Sequence, residues 1–306
     1  MTLKLTFGVI VFQSDYVLKQ CLESVYPYAH QILIAEGPVK YWQQQGITTS
    51  TDKTNEILNS FPDPQNKIKI THGQYSEKDE QCNAYMKFLD KDTDYLWNLD
   101  ADEIYKSQDI ENIIKLLEKE QYTSVGVKSC SFYGGFNHYI TGFEEARDNF
   151  LRIFKVCPGA VWQTHRPPTI LYPNNSNIIK KHLNSDELFD KIGMKIYHYS
   201  YVFPKQVYTK MNYYMGIGGY ANRISNYFFN VYMPWVLGDL KQKVEIEKMY
   251  NGVHEYLPQG RGPSFTTKFI GQHPDSIKRD IVDLSCRFDK EVRHVIAKLK
   301  VLQQCS

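Results

Sequence analysis

The stretch Asp94-Tyr95-Leu96-Trp97-Asn98-Leu99-Asp100-Ala101-Asp102-Glu103 decides how this chain is read. It is a short apolar run that ends in two carboxylates one residue apart. In extended backbone, alternate side chains share a face. Asp100 and Asp102 therefore point to the same side and can share one divalent cation with the oxygens of a ligand. Spacing alone says little, because Asp90-Lys91-Asp92 and Asp92-Thr93-Asp94 repeat it just upstream with no apolar strand leading in. Those two read as a solvated, acidic turn. What separates Asp100 and Asp102 from them is position, since ligand sites of α/β proteins lie just beyond the C-terminal ends of buried strands. The duller alternative is a pair of helix-capping or surface carboxylates.

Upstream, residues 5–12 read as a buried strand. Asp15 to Tyr26, with Val17, Leu18, Leu22 and Val25 at helical spacing, reads as a helix closed by Pro27. Gln31 to Ala35 is a second buried strand, ending in Glu36-Gly37. A polar stretch from Tyr41 to Asp52 precedes a helix over Lys53 to Phe61, which stops before Pro62. A third strand over Lys67 to Thr71 and a helix over Glu77 to Asp90 follow, making Tyr95 to Leu99 the fourth strand. Strands that alternate with helices in this way predict a mostly parallel sheet.

Downstream, a helix over Asp109 to Glu118 returns to a strand over Ser124 to Ser131, and beyond it the chain turns aromatic and less regular. The expectation there is a strand over Phe150 to Phe154, a loop-rich segment from Cys157 to Asn177, an alternating strand over Lys195 to Val202, a helix from Pro204 toward Met215, and a flexible loop from Pro258 to Pro263. Ile277, Ile281, Leu284, Phe288, Val292, Val295, Leu299 and Leu302, spaced by three and four, make a terminal amphipathic helix opened by Pro274-Asp275. The simpler reading packs it on its own domain; the other makes it a homodimer seam.

Composition sets the outer bounds. With 306 residues, 42% of them hydrophobic, the chain can build one large domain or two smaller ones. Lys plus Arg number 36 against 34 Asp plus Glu, so bulk charge argues against nucleic acid or an anionic membrane as the main partner. The six cysteines are scattered without a CxxC pair, which suits reduced thiols in a cytoplasmic protein. No run approaches the roughly 18 apolar residues of a membrane span.

Taken in order, Phe7 to Phe12, Glu36-Gly37, Asp52-Lys53-Thr54 before a helix, Lys78-Asp79-Glu80-Gln81-Cys82-Asn83 heading another, and Leu96 to Asp102 resemble the nucleotide-sugar-binding half of a GT-A-fold glycosyltransferase of the family-2 type. The resemblance covers roughly residues 5 to 202. It implies an α/β, GT-A-like fold: a mostly parallel, Rossmann-type sheet flanked by helices, with an aromatic-rich C-terminal part ending in the amphipathic helix. Residues 1–131 would be the nucleotide-sugar-binding half. Residues 132–306 would form the acceptor side and helical end, continuous with the first half in one domain.

The same resemblance implies site roles. Val11, Phe12, Gln13 and Glu36 would hold the base and ribose of a nucleoside diphosphate sugar, and Asp79 would contact the base. Asp100 would approach the ribose or a metal-bound water, Asp102 would ligate the metal, and His198 would complete its shell. Without the resemblance, His198 on an aromatic strand reads as a satisfied core histidine. Such a shell suits Mn²⁺ well and Mg²⁺ tolerably. Arg261, Lys205 and Lys210 are candidates to neutralise the diphosphate, although lone basic residues are usually just solvated.

One departure concerns the base. Family-2 relatives often carry an Arg-X-Phe strand followed by His-Glu, the glutamate accepting the acceptor's proton. Here Arg152-Ile153-Phe154 is followed by His165-Arg166, an arginine where the acid should stand. Glu144, Glu145, Asp148 and Glu103 are the substitute candidates. The expected function is metal-dependent transfer of a hexose from a nucleoside diphosphate sugar, UDP-linked by preference, to a hydroxyl of an unknown glycan, lipid or protein, with donor hydrolysis as a side activity. The alternative is a catalytically weak carbohydrate- or nucleotide-sugar-binding module, motivated by Arg166 and by aromatic residues such as Tyr213, Tyr214, Tyr220 and Trp235.

Overall fold

The structure is a computed structural model and describes residues 3–174, 176, 178–217, 224–255 and 262–304, the side chains of residues 144 and 299–304 excepted. In chain order the elements begin β1 (Leu5–Val11), α1 (Leu18–Val25), β2 (Gln31–Glu36), α2 (Lys40–Gln44), α3 (Thr54–Ser60) and β3 (Ile68–His72). Next come α4 (Lys78–Met86), β4 (Tyr95–Asp100), β5 (Glu103–Ile104), α5 (Ser107–Lys119), β6 (Ser124–Tyr133), β7 (His138–Gly142) and α6 (Phe143–Arg147). Then follow β8 (Phe150–Lys155), β9 (Val161–His165), β10 (Pro168–Leu171), β11 (His182–Leu183), α7 (Ser185–Ile192) and β12 (Lys195–Tyr201). The chain closes with α8 (Pro204–Gly216), a π-helical turn (Phe228–Tyr232), α9 (Met233–Leu237), α10 (Leu240–Met249), β13 (Ser264–Lys268) and α11 (Asp275–Gln304).

Two compact units divide the chain, and they do not coincide with its two sequential halves. The first comprises Met1–Ser129, Asp148–Ile196 and Pro274–Ser276; the second comprises Cys130–Arg147, Tyr197–His273 and Ile277–Ser306.

In the first unit the strand order is β8-β4-β1-β2-β3. β4, β1, β2 and β3 run parallel, and β8 lies antiparallel on β4. Every residue of β1 and β2 is buried, which explains their unbroken apolar reading. The order reverses at β1: Val11 pairs with Glu36 of β2, while Ile10 pairs with Asp100 of β4. Crevices at such reversals are where open α/β sheets bind ligands.

Local chemistry moves several expected boundaries. The first helix starts at Leu18, because Asp15 is used elsewhere: its carboxylate accepts from Lys53 N at 3.3 Å and its own N donates to Asp52 at 3.2 Å. Within the polar stretch, α2 is pinned by Gln43 Nε2 donating to Pro38 O at 3.0 Å and Tyr75 O at 2.8 Å. The segment expected as loop from Cys157 onward contains the antiparallel hairpin β9–β10. Only Trp162, His165 and Ile170 of that hairpin are buried, so no apolar run announces it. A reciprocal amide pair holds it to α4: Asn83 Nδ2 donates to Trp162 O and Trp162 N donates to Asn83 Oδ1, each at 2.9 Å.

Gly37, directly after β2, has φ +147°, and a Cβ there would come within 1.8 Å of Gly73 O. That backbone contact cannot swing aside as a side chain would. Gly37→Ala is expected to destabilise the protein by about 2 kcal/mol or more, read as a lower urea midpoint; an unchanged midpoint contradicts the packing.

The second unit pairs β13 with β7 and β7 with the end of β6, in antiparallel fashion. Its core is aromatic, with Tyr133, Tyr201, Tyr227, Phe228, Tyr232 and Trp235 buried together. The buried hydroxyls find partners: Tyr133 and Tyr227 meet at 2.9 Å, Tyr227 donates to Val253 O and Tyr232 to Val202 O, both at 2.6 Å. Tyr214 and Trp235, named above as sugar-stacking candidates, therefore belong to the core, and Tyr220 lies outside the described residues. Val292 and Val295 of α11 pack on this same core, as the simpler reading of the terminal helix expects. Arg261 and most of the Pro258–Pro263 loop lie outside the described residues. Cys21, Cys82, Cys130, Cys157 and Cys286 carry free thiols. Among the described residues no helix is long and apolar enough to cross a membrane.

Candidate functional site

The C-terminal ends of β1, β2 and β4 meet in the first unit. On the β2 side, Glu36 is buried, accepting from Ser50 N at 3.1 Å and pairing with His72 Nδ1 at 3.0 Å. Gln13, just past β1, takes the left-handed φ of +50°, uncommon for a residue with a Cβ. Its N donates to Ser50 Oγ at 3.0 Å and its Nε2 to Thr51 Oγ1 at 2.9 Å. Gln81 of α4 ties the strand ends together through Nε2, which donates to Ala35 O at 2.8 Å and Val11 O at 3.3 Å. The half-buried rings of Phe12 and Trp42 lie 5.7 Å apart. Val11, Phe12, Gln13 and Glu36 are thus brought together. Trp42, hidden in a polar stretch, joins them without having been singled out by the sequence.

On the β4 side, Arg152 of β8 organises the carboxylates. Its Nε donates to both oxygens of Glu103, at 3.0 and 2.8 Å, and its Nη2 donates to Glu103 Oε1 and, at 3.2 Å, to Asp100 Oδ2. The Glu103 side chain is fully buried and that of Arg152 nearly so, whereas Asp100 keeps 25% exposure. Both oxygens of Glu103, a candidate proton acceptor above, accept from the Arg152 guanidinium in a buried setting. Asp102 is half-buried on the same turn. Burial first, then the charges of Glu103, Asp102 and Asp100, push the Cys21 thiol well up.

Cations answer this negative cluster. Burial would raise the Asp100 carboxyl, but Arg152 first, then Lys78 and, more weakly, Arg166 hold it well below the usual carboxylate range. Lys78 heads α4, and Arg166 follows β9. Burial, reinforced by Lys78, brings His165 down to about 3, so the ring is neutral at physiological pH; its Nδ1 lies 3.8 Å from Cys82 Sγ. The His165-Arg166 pair therefore supplies a neutral imidazole and a positive charge near Asp100, not a carboxylate.

The donor set suits a divalent cation. Asp100 turns one oxygen to Arg152 and retains the other, and Asp102 adds a second carboxylate. Mg²⁺ or Mn²⁺ held by one or two carboxylates fills its remaining positions with phosphate oxygens and water.

His198 is half-buried on β12 and Glu145 lies on α6, both in the second unit. Glu144 shares α6, its side chain being outside those described. Asp148 accepts from Ser129 Oγ in the first unit. Asp79 is half-buried in the first turn of α4. Lys210 is occupied over the Tyr201 ring, 4.3 Å from its centroid, and Lys205 N donates to Glu291 at 3.0 Å.

The upstream acidic turn also gathers ligand-type atoms: His30, Asp90 and Asp92 lie within 4.8 Å of one another. They sit before the start of β4, at the opposite end of the strand from Asp100, and cations already meet them. Lys4 pairs with Asp92, and Lys69 approaches Asp90 at 3.9 Å. This is the solvated charge cluster expected from sequence.

The family model for glycosyl transferase family 2 matches residues 48–199, the span that holds β4, Arg152 and His165. Just under half of the chain thus matches that family. No curated protein sequence matches it. Among solved structures, S. aureus TarS 1–349 aligns at 12% identity and TM-score 0.35, over 50% of this chain and 47% of that one. The chain thus spans less than half of that relative. TarS 1–349 in complex with UDP aligns at 11% identity and TM-score 0.37, over 81% and 71%. The 4-diphosphocytidyl-2C-methyl-D-erythritol synthase of Anaerococcus prevotii aligns at 12% and 0.32, over 50% and 70%.

Proposed function

We propose that the protein transfers a hexose from a nucleoside diphosphate sugar, UDP-linked by preference, to an acceptor hydroxyl with the help of Mn²⁺ or Mg²⁺. The observation that carries this reading is the Asp100–Asp102 pair at the end of β4, beside β1, where the strand order reverses. Phe12 and Trp42 offer ring faces to a base, with Glu36 and Gln13 in polar support. Asp102 and the oxygen of Asp100 not used by Arg152 are the metal ligands in this reading. A bound divalent cation stabilises the negative charge that collects on the departing diphosphate without needing a proton.

The chain's own side chains supply the rest. Arg152 keeps Asp100 ionised and aimed, and Lys78 and Arg166 bring positive charge to the same place. Glu103 holds Arg152 and takes no part in proton transfer. Neutral His165 borders the site without adding charge.

A thermal-shift panel of UDP, GDP, CMP and dTDP sugars, with and without Mn²⁺, tests the proposal. A UDP sugar is expected to raise Tm by several degrees only when metal is present. If no nucleotide gives a metal-dependent shift, the reading fails.

A further inference from the structure

Glu36 stands where a contact to the base is expected, yet its side chain is 2% exposed and both of its oxygens are used inside the protein. Oε1 accepts from Ser50 N at 3.1 Å, and Oε2 meets His72 Nδ1 at 3.0 Å. The group it holds is the one that reaches the surface: the His72 side chain is 55% exposed. Strand pairing puts it there. β1, β2 and β3 end side by side, with Val11 opposite Glu36 and Glu36 opposite His72.

The same row of strand ends borders the aromatic pair. Ser50, whose N binds Glu36, also accepts through Oγ from Gln13 N at 3.0 Å, and Gln13 directly follows Phe12. On the other side, Gln43 Nε2 donates to Tyr75 O at 2.8 Å, which fastens α2 and its Trp42 to the segment just after β3.

The bond to Glu36 also fixes what the ring can offer. A carboxylate has no hydrogen to give, so Nδ1 carries the hydrogen and donates. In a neutral imidazole the other nitrogen, Nε2, is then an acceptor. Uracil carries a hydrogen on N3 and can donate to it. Cytosine has a lone pair on N3 and would set two acceptors against each other.

We propose that His72, held by Glu36, recognises the base of the donor nucleotide, its Nε2 accepting from the N3–H of uracil. This assignment rests on the nucleotide-sugar reading above. Glu36 is a positioning residue: it sets the tautomer and touches no ligand. Glu36→Gln therefore has a distinctive consequence. Its amide can keep accepting from Ser50 N only by turning its NH₂ toward His72, which moves the ring hydrogen to Nε2, where it donates to N3 of cytosine.

The test is calorimetry on the full chain with UDP, CDP and 3-methyl-UDP, each with Mn²⁺ at mildly alkaline pH, for the wild type, His72→Ala and Glu36→Gln. The wild type is expected to bind UDP at least about tenfold more tightly than CDP or 3-methyl-UDP, the size of one hydrogen bond set against an unpaired or opposed group. His72→Ala should weaken UDP about tenfold and leave CDP unchanged, which removes the preference and shows that the variant is folded. Glu36→Gln should turn the preference toward CDP. A His72→Ala protein that keeps the wild-type UDP-to-CDP ratio overturns the assignment, whether its affinities are retained or fall together. So does a Glu36→Gln protein that still prefers UDP. Failure on either count in a protein whose wild type binds UDP with Mn²⁺ sinks His72 alone, whereas a wild type that binds none of the three sinks the donor reading and this assignment with it.

Discussion

Asp102→Asn is expected to lower transfer on the order of 10³-fold and to remove the metal-dependent part of stabilisation by a UDP sugar. The substitution keeps size and hydrogen bonding but takes away the charge that a divalent cation requires. Charge stabilisation by such a cation contributes several kcal/mol to the transition state, and each roughly 1.4 kcal/mol is tenfold in rate. Because Asp102 is half-buried at a turn and not in the core, the fold should survive. Steady-state release of UDP, together with the thermal shift, checks both halves of the expectation. A variant that keeps its metal-dependent shift would move the metal elsewhere.

Arg152→Met has the largest expected effect on stability. The guanidinium is the ionic partner of a fully buried Glu103, and removing it leaves that buried carboxylate charged without its counter-ion. Breaking a buried pair from one side typically costs about 3–5 kcal/mol, whereas replacing both partners with apolar or neutral groups can be nearly neutral. Arg152→Met should therefore unfold at much lower urea, and the double variant Arg152→Met/Glu103→Gln should recover a large part of the loss. A single variant within about 1 kcal/mol of wild type would contradict the clamp.

The pH dependence carries a separate signature of the same residue. Asp100 has a depressed folded-state value, so its contribution to stability is present above the unfolded carboxylate range, near pH 3.9, and is lost as pH falls through the folded value. Without Arg152 the folded value rises, and the acid limb of stability should move to higher pH.

The Arg152 clamp was out of reach of the sequence for a plain reason. Arg152 and Glu103 are 49 positions apart, and their meeting depends on β8 lying antiparallel beside β4. Arg-Ile-Phe invited comparison with a family pattern but gave no sign of which carboxylates the arginine would hold. By contrast, β1, β2 and β4 were legible because each is buried over most of its length and bounded by polar or turn residues, which leaves an unbroken apolar run. The place of Asp100 and Asp102 at the end of β4 followed from that run, which Asp90-Lys91-Asp92 and Asp92-Thr93-Asp94 lack.

Trp42 and the β9–β10 hairpin were missed for the opposite reason. Trp42 stands among glutamines and meets Phe12 only through the tertiary fold. The hairpin exposes most of its side chains and is fastened by the amide of Asn83, an interaction that leaves no periodicity behind. The aromatic second half misled in another way. Tyr133, Tyr201, Tyr227 and Tyr232 bury their rings and satisfy their hydroxyls internally, so abundance signalled a core.

The most direct measurement is a crystal structure of the full chain grown with UDP and Mn²⁺. The account predicts the uracil beside Phe12 and Trp42, with anomalous density for manganese within coordinating distance of Asp102 and of the Asp100 oxygen that Arg152 does not use. Manganese at His30, Asp90 and Asp92, or UDP bound away from the ends of β1 and β4, would contradict it.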